Sequence, residues 1–103
     1  MVNQQTALNT AHAFVKECKE IGLTFEKVML FGSYAKGIAR ADSDIDLLLI
    51  SKNFSDDVFA NLKQYSKVNI RYPLVETHPY SFTSYMEGDE FLAEITKDGI
   101  EID

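Results

Sequence analysis

The sequence predicts an α/β (α+β) fold in which helices flank a small mixed β-sheet. Three observations predict it: helical periodicity near both ends of the chain, short apolar runs between turn residues, and no repeat, low-complexity tract or linker-like segment. The chain has 103 residues and 46% of them are hydrophobic, so we expect a single domain over residues 1–103 around one core.

The first part of the chain predicts a helix and then a strand. Apolar side chains recur at helical spacing at Leu8, Ala11, Val15, Cys18 and Ile21. This spacing predicts a helix over residues 4–21, with Gly22 as its stop. Residues 27–31 form a short apolar run that ends at Gly32, which predicts a buried strand.

The segment after Gly32 predicts a brief helix and a second strand. Residues 33–40 read as a short helix weakened by Gly37, and residues 41–43 form a polar segment. Residues 44–50 are almost wholly apolar after their first three positions, which predicts a second buried strand.

The second half predicts a helix, a third strand and a turn. Ser55 is a candidate N-cap for a helix that continues to about Tyr65. Residues 67–77 predict a third strand, in which Pro73 indicates an edge position or a bulge. The turn is expected at His78–Pro79.

The last residues predict a helix over residues 89–98 that Gly99 closes, and residues 100–102 predict a small edge strand.

Charge and cysteine content bear on the class of protein. The net charge is −6, which argues against a non-specific nucleic-acid binder. The single cysteine, Cys18, excludes an intrachain disulfide and favours a reducing compartment. Because we find neither a secretory signal nor an apolar run long enough to span a bilayer, we expect a cytoplasmic protein without membrane contact.

Two carboxylates stand at the start of the second predicted strand. Asp44 and Asp46 share one face of that strand, and the same face continues with Leu48 and Ile50. Two like charges in a partly dry place are costly unless a cation binds, and carboxylate oxygens are ligands for Mg²⁺. An isolated Asp-x-Asp is more often a solvated turn, so the pair alone decides nothing.

A candidate anion site precedes these carboxylates. Gly32 has no Cβ to block a phosphate, and Ser33 can act as helix N-cap and offer its hydroxyl. The alternative, that Ser33 is only a cap, is compatible with phosphate binding. An anion site beside a cation site describes a site for a metal-bound nucleoside triphosphate.

The segment GSYAKGIARADSDIDLLLI resembles the signature Gly-Ser, ten residues, Asp-x-Asp. That signature is typical of the minimal nucleotidyltransferases (MNT) in the DNA polymerase beta-like superfamily. The resemblance implies transfer of AMP from ATP to a hydroxyl, supported by two Mg²⁺ ions at Asp44 and Asp46. Lys36 and Arg40 would touch the triphosphate, or would be ordinary helix-surface charges.

In that family a third carboxylate on a neighbouring strand completes the metal site. Glu76 is the best candidate here, as ligand or proton acceptor, because it shares the strand-period face of Ile70, Tyr72 and Leu74. The alternative is a solvated strand end. His78 is interpreted as a loop histidine before proline.

Stand-alone proteins of this type resemble antitoxins whose partner is a HEPN-domain toxin that receives AMP on a tyrosine. Larger members of the superfamily carry an extra domain that grips the acceptor, and we find none in this sequence. We therefore expect such a partner to supply that surface. Two alternatives stay open: a homodimer that modifies a small molecule, and a non-catalytic antitoxin that neutralises its partner by binding.

Overall fold

Four strands and six helices are found in the computed structural model of the protein, which describes residues 3–40 and 43–102. The strands are β1 (Lys27–Phe31), β2 (Ile45–Ser51), β3 (Val75–Ser81) and β4 (Ile100–Glu101). The helices are α1 (Gln4–Glu20), α2 (Ser33–Lys36), α3 (Val58–Lys63), α4 (Ser66–Asn69), α5 (Phe82–Glu87) and α6 (Glu90–Asp98). The polar segment predicted at residues 41–43 lies mostly outside the described residues.

The strands form one mixed sheet in the order β3-β2-β1-β4. β1 pairs antiparallel with β2 and with β4, while β2 pairs parallel with β3. The predicted fold class is therefore confirmed. In this register Asp46 lies opposite Phe31 on one side and opposite Glu76 on the other, so the three residues form one row across the sheet.

Alternation along the strands gives the sheet two different faces. The α1 face packs on α1 and α4, and its buried strand residues are Val28, Leu30, Ile45, Leu47, Leu49 and Val75. The α6 face is smaller, and its buried residues are Met29, Leu48, Ile50, Leu92 and Ile95. Asp46 stands on the α6 face, because it shares the parity of Leu48 and Ile50 along β2.

Several predicted elements are confirmed with shifted ends. α1 begins after Asn3, whose carboxamide oxygen accepts the Thr6 backbone N–H at 2.9 Å. It ends at Glu20, one residue before the predicted end at residue 21. Asp89 caps α6 through a 2.7 Å bond from the backbone N–H of Leu92. β4 is the predicted edge strand, and β2 starts at Ile45, so Asp44 immediately precedes it.

The third strand predicted at residues 67–77 is wrong over most of its length. The first part forms α4, because Tyr65 and Val68, three residues apart, are both 1% exposed and pack on the α1 face. Ile70 is 79% exposed, which a buried strand face would not allow. The strand begins at Val75.

The turn predicted at His78–Pro79 is also wrong, because both residues lie inside β3. β3 is an edge strand, where a residue without a backbone N–H is tolerated. The helix predicted from Ser55 begins later, as α3, and Asp57 caps it by accepting the Ala60 backbone N–H at 3.1 Å. α5, which follows β3 directly, has no counterpart in the prediction.

Candidate active site

Gly32 directly follows β1 and has a backbone conformation that only glycine adopts readily, with φ 74° and ψ −153°. A Cβ at this position would collide with Oδ2 of Asp46 and lie 3.2 Å from its Cγ. The missing side chain therefore lets the start of α2 approach the Asp46 carboxylate directly.

α2 begins at Ser33, and Gly32 takes the N-cap position without a side-chain cap hydrogen bond. The prediction that Ser33 caps this helix is therefore wrong. The reason is the glycine-only backbone of Gly32, which already turns the chain at the cap position. Ser33 is half-buried beside Gly32, and the first backbone N–H groups of a helix have no acceptor within it, so they are available to a ligand.

Three carboxylates converge beside this turn. Asp46 and Glu76 are register partners across β2 and β3, and Asp44 stands two positions before Asp46. The Asp46 side chain is 22% exposed, while Asp44 and Glu76 are exposed at the sheet edge. The structure thus brings together the three predicted acidic residues. The predicted strand face that leads to Glu76 is absent before Val75, where β3 begins.

The electrostatics of the cluster reflect burial and like charge. Loss of solvent raises the pKa of Asp46, the negative charge of Asp44 raises it further, and His78 opposes the rise. Loss of solvent also raises the pKa of Glu76, as do a hydrogen bond with Asp44 and the charge of Asp46. Both carboxylates are held at a cost that a cation between them would remove.

His78 is a member of this cluster that the sequence prediction misses. Its Nε2 lies 3.7 Å from Oδ1 of Asp46. One ligand atom each from Asp46, Glu76 and His78 all lie within 4.8 Å of one another. The available signal was the strand alternation of Glu76, His78 and Tyr80, which the assumed turn before Pro79 concealed.

Aromatic side chains surround the imidazole on the α6 face. The ring centroid of Phe31 lies 5.0 Å from the ring centroid of His78, and that of Phe91 lies 6.1 Å from the same point. Phe31 and Phe91 also line a cavity of about 170 Å³ together with Gly32 and Lys36. Neither phenylalanine carries a sequence motif, so only the fold reveals them.

The two predicted cations differ in their placement. Lys36 is exposed and lines the cavity beside Gly32. Arg40 is exposed, and the contacts described for it are made by its backbone: its N–H donates to Ser43 Oγ at 2.8 Å and its carbonyl accepts from the Tyr34 hydroxyl at 3.4 Å. The structure brings Lys36 towards the turn, and it gives no described contact between the Arg40 side chain and the carboxylates.

The residues present fit a divalent cation. Carboxylate oxygens and an imidazole nitrogen are common ligands of divalent cations in proteins, and three donors already face one another. Asp44 adds a fourth group within electrostatic reach of Asp46 and Glu76.

Comparison with known proteins finds a matching domain family. The model of the nucleotidyltransferase domain family matches residues 12–98. A candidate protein adenylyltransferase of Methanocaldococcus jannaschii is 46% identical over 46 residues, which is 44% of this chain and 31% of that relative. The aligned segment thus spans about a third of the curated relative's length.

Solved structures have the same fold. A candidate nucleotidyltransferase of Sulfolobus solfataricus has a TM-score of 0.69 and 27% identity over 95% of this chain and 80% of that chain. A chain of a toxin–antitoxin complex with AMP-PNP has a TM-score of 0.62 and 18% identity, over 93% of this chain and 72% of its own. A chain from the complex of tri-AMPylated Shewanella oneidensis HEPN toxin with MNT antitoxin has a TM-score of 0.55 and 17% identity. The match covers 97% of this chain and 71% of that chain.

Among residues 3–40 and 43–102, no helix combines the length and the apolar character that crossing a membrane requires.

Proposed function

This chain belongs to the nucleotidyltransferase domain family, and we propose that it transfers AMP from ATP to a tyrosine hydroxyl of a HEPN-domain toxin. The observation that carries the proposal is the convergence of Asp46 and Glu76 from neighbouring strands beside the glycine turn at Gly32. The related complexes support the choice of nucleotide and acceptor, because one holds AMP-PNP and another an AMPylated HEPN toxin.

The residues of the turn would position the triphosphate. Gly32 offers no side chain, and the first backbone N–H groups of α2, which have no acceptor within the helix, would donate to the phosphate oxygens. Lys36, exposed at the end of α2, would supply a positive charge to the same group. These contacts would fix the α-phosphorus relative to the carboxylates, which is the positioning that phosphoryl-type transfer depends on.

The carboxylates would hold a divalent cation through Asp44, Asp46 and Glu76. When bound, the cation supplies charge neutralisation at the phosphate oxygens and lowers the pKa of the attacking hydroxyl. The acceptor oxygen bonds to the α-phosphorus, the bond from that phosphorus to the bridging oxygen breaks, and pyrophosphate leaves. A Glu76 carboxylate oxygen that does not hold the cation would take up the hydroxyl proton.

The exposure of the cluster suits an acceptor on a second protein. Asp44 and Glu76 are exposed, so a tyrosine presented by a partner can approach them without a change in the core.

The test is transfer of label from ATP to a purified HEPN-domain partner. We expect label from α-³²P-ATP and none from γ-³²P-ATP, because AMP is transferred and pyrophosphate is released. Asp44→Ala should remove the label, while Glu20→Ala, exposed at the end of α1, should retain it. Equal labelling by wild type and Asp44→Ala would overturn the proposal.

A double variant separates neutralisation of the toxin by modification from neutralisation by binding alone. If the double variant Asp44→Ala plus Asp46→Ala still neutralises the toxin, neutralisation occurs by binding and the catalytic proposal for this role fails. If neutralisation requires both aspartates and ATP, modification is the cause.

A further inference from the structure

We propose that His78 supplies an imidazole nitrogen to the cation held by Asp46 and Glu76, so that the site prefers Mn²⁺ or Co²⁺ to Mg²⁺. The inference rests on the proposed function only for the presence of a cation at this cluster. It departs from the all-carboxylate Mg²⁺ site that the sequence resemblance implies.

The strand register places the three donors on one side. Glu76 and His78 occupy alternate positions of β3, and their partners on β2 are Asp46 and Leu48. All four side chains therefore lie on the α6 face. Leu48, the register partner of His78, is fully buried, and Nε2 of His78 lies 3.7 Å from Oδ1 of Asp46, so the imidazole nitrogen is on the carboxylate side.

The distances fit a shared coordination shell. Ligand atoms about 2.1 Å from one ion lie up to about 4.2 Å apart. His78 Nε2 and Asp46 Oδ1 are 3.7 Å apart, and all three donors fall within 4.8 Å of one another. Closing the set around an ion requires side-chain movements of less than about 1 Å.

The gap between His78 and Asp46 is too long for a normal hydrogen bond. Such bonds join nitrogen and oxygen at about 2.7–3.2 Å, whereas this pair is separated by 3.7 Å. At this separation neither the imidazole nitrogen nor the carboxylate oxygen is held by the other at normal hydrogen-bond length. An ion between the two groups would satisfy both at once.

Aromatic packing holds the imidazole in place for this role. Phe31 meets the ring at an interplanar angle of 64°, and Phe91 lies against it at 46°. The side chain is 30% exposed, so it is partly covered while its edge stays open to an ion. A ring fixed by packing loses little freedom on binding a metal, which favours ligation.

The chemistry of the nitrogen then sets the preference among cations. Mg²⁺ prefers oxygen ligands and gives up its water reluctantly. Imidazole binds transition-type cations better, and affinity rises from Mn²⁺ to Co²⁺. One imidazole in the shell should shift the order of affinities away from Mg²⁺.

Pulsed electron paramagnetic resonance on the full chain with Mn²⁺ alone tests the ligation directly. We expect a ¹⁴N modulation in the spin echo, replaced by the ¹⁵N pattern when histidine is isotopically labelled. The chain has two histidines, so His12→Asn, an exposed change on α1, is the matched control that keeps the signal. His78→Asn should remove it. Bound Mn²⁺ without nitrogen modulation in the wild type overturns the inference, and that result needs no variant.

Calorimetric titration tests the selectivity. Co²⁺ should bind more tightly than Mg²⁺, and His78→Asn should weaken Co²⁺ by at least about tenfold, a loss typical for a group that supports a metal. Mg²⁺ affinity should change by less than about twofold. Equal losses for both cations contradict the inference.

Failure here is distinct from failure of the proposed function. Label transfer from α-³²P-ATP without nitrogen modulation refutes the role of His78 and leaves nucleotidyl transfer standing. Nitrogen modulation without label transfer under any of the three cations supports the role of His78 and refutes the transfer.

Discussion

The two faces of the sheet place opposite demands on the same strands. On the α1 face, Ile45, Leu47 and Leu49 of β2 are almost completely buried. On the α6 face, the alternate residues run from buried Ile50 and Leu48 to the half-buried carboxylate of Asp46. At the Gly32 end of β2 the α1 face begins with Ile45, whereas the α6 face begins with the Asp46 carboxylate.

Polar groups show the same contrast. On the α1 face the buried Tyr65 hydroxyl is 2.7 Å from the Thr77 hydroxyl, so it has a hydrogen-bond partner within the protein. On the α6 face Asp46 and Glu76 face each other with raised pKa values. Residues one position apart in β2 therefore serve the core and the candidate site, and we expect that stability and transfer can be changed separately.

Asp46→Asn should have the largest effect and separate the faces most clearly. Loss of the central cation ligand removes transition-state stabilisation of several kcal/mol, and about 4 kcal/mol corresponds to roughly a thousandfold slower transfer. Unfolding free energy should stay equal or rise, because a charge with an unfavourable environment is removed. Initial rates of label transfer and urea unfolding measure the two. Transfer above about one-tenth of wild type would show that Asp46 is not a ligand.

Gly32→Ala should come next, and Gly37→Ala is its matched control. Both glycines have φ near +75°, but the Cβ added at Gly32 meets the Asp46 carboxylate while that at Gly37 meets open space. We expect about a hundredfold slower transfer for Gly32→Ala, the size that a misplacement of about 1 Å produces. Gly37→Ala should cost about 1 kcal/mol in unfolding free energy, because its left-handed backbone (ψ 19°) suits alanine better than that of Gly32 (ψ −153°). Similar transfer rates in the two variants would remove the argument for a glycine at the turn.

Leu49→Ala tests the α1 face. Leu49 is 0% exposed, and deleting its side chain should lower the unfolding free energy by about 2–5 kcal/mol. Transfer per folded molecule should be unchanged, because the residue points away from the carboxylates. Leu49→Met, which nearly conserves volume, should cost less than about 1.5 kcal/mol. A loss of transfer rate in molecules that remain folded would show that the two faces are coupled.

Glu17→Gln should have the smallest effect, at the rim of the α1 face. Hydrogen bonds from the Tyr72 hydroxyl and then the Arg71 guanidinium hold the pKa of Glu17 below its ordinary value of 4.5. A lowered pKa in the folded state contributes stability that is full above 4.5 and lost as pH falls through the folded value. The variant should therefore unfold at a lower temperature than wild type near pH 7 and at the same temperature in strong acid. Glu20→Gln, exposed at the end of α1, serves as control. A difference that grows on acidification would contradict the assigned contact.

Local pattern was enough for the elements that precede and follow the site. α1, β1, β2 and α6 were predictable because their apolar spacing and terminal residues, such as Asp89 and Gly99, are contained in a short window of sequence. Apolar residues also occur at Val68 and Ile70, where the pattern fits a strand as well as a helix. Only the burial of Val68 against the α1 face decides for the helix, and that contact involves residues distant in the chain.

The candidate site was predictable to the same extent. Gly32, Asp44 and Asp46 lie within one motif, and their roles stay predictions until they are measured. The prediction of Glu76 rests on a strand face before Val75 that the structure does not contain. The parallel pairing of β2 and β3 nevertheless places Glu76 opposite Asp46. His78 was missed because Pro79 suggested a turn, and an edge strand accommodates that proline.

The most direct test of a single site built across two strands is label transfer from α-³²P-ATP by Glu76→Gln, with Glu20→Gln as control. We predict that Glu20→Gln transfers at the wild-type rate and that Glu76→Gln, although folded, transfers at least about a hundredfold more slowly, which corresponds to about 2.7 kcal/mol. Wild-type transfer by Glu76→Gln would contradict the account, because the third carboxylate would then lie beside the site without taking part in it.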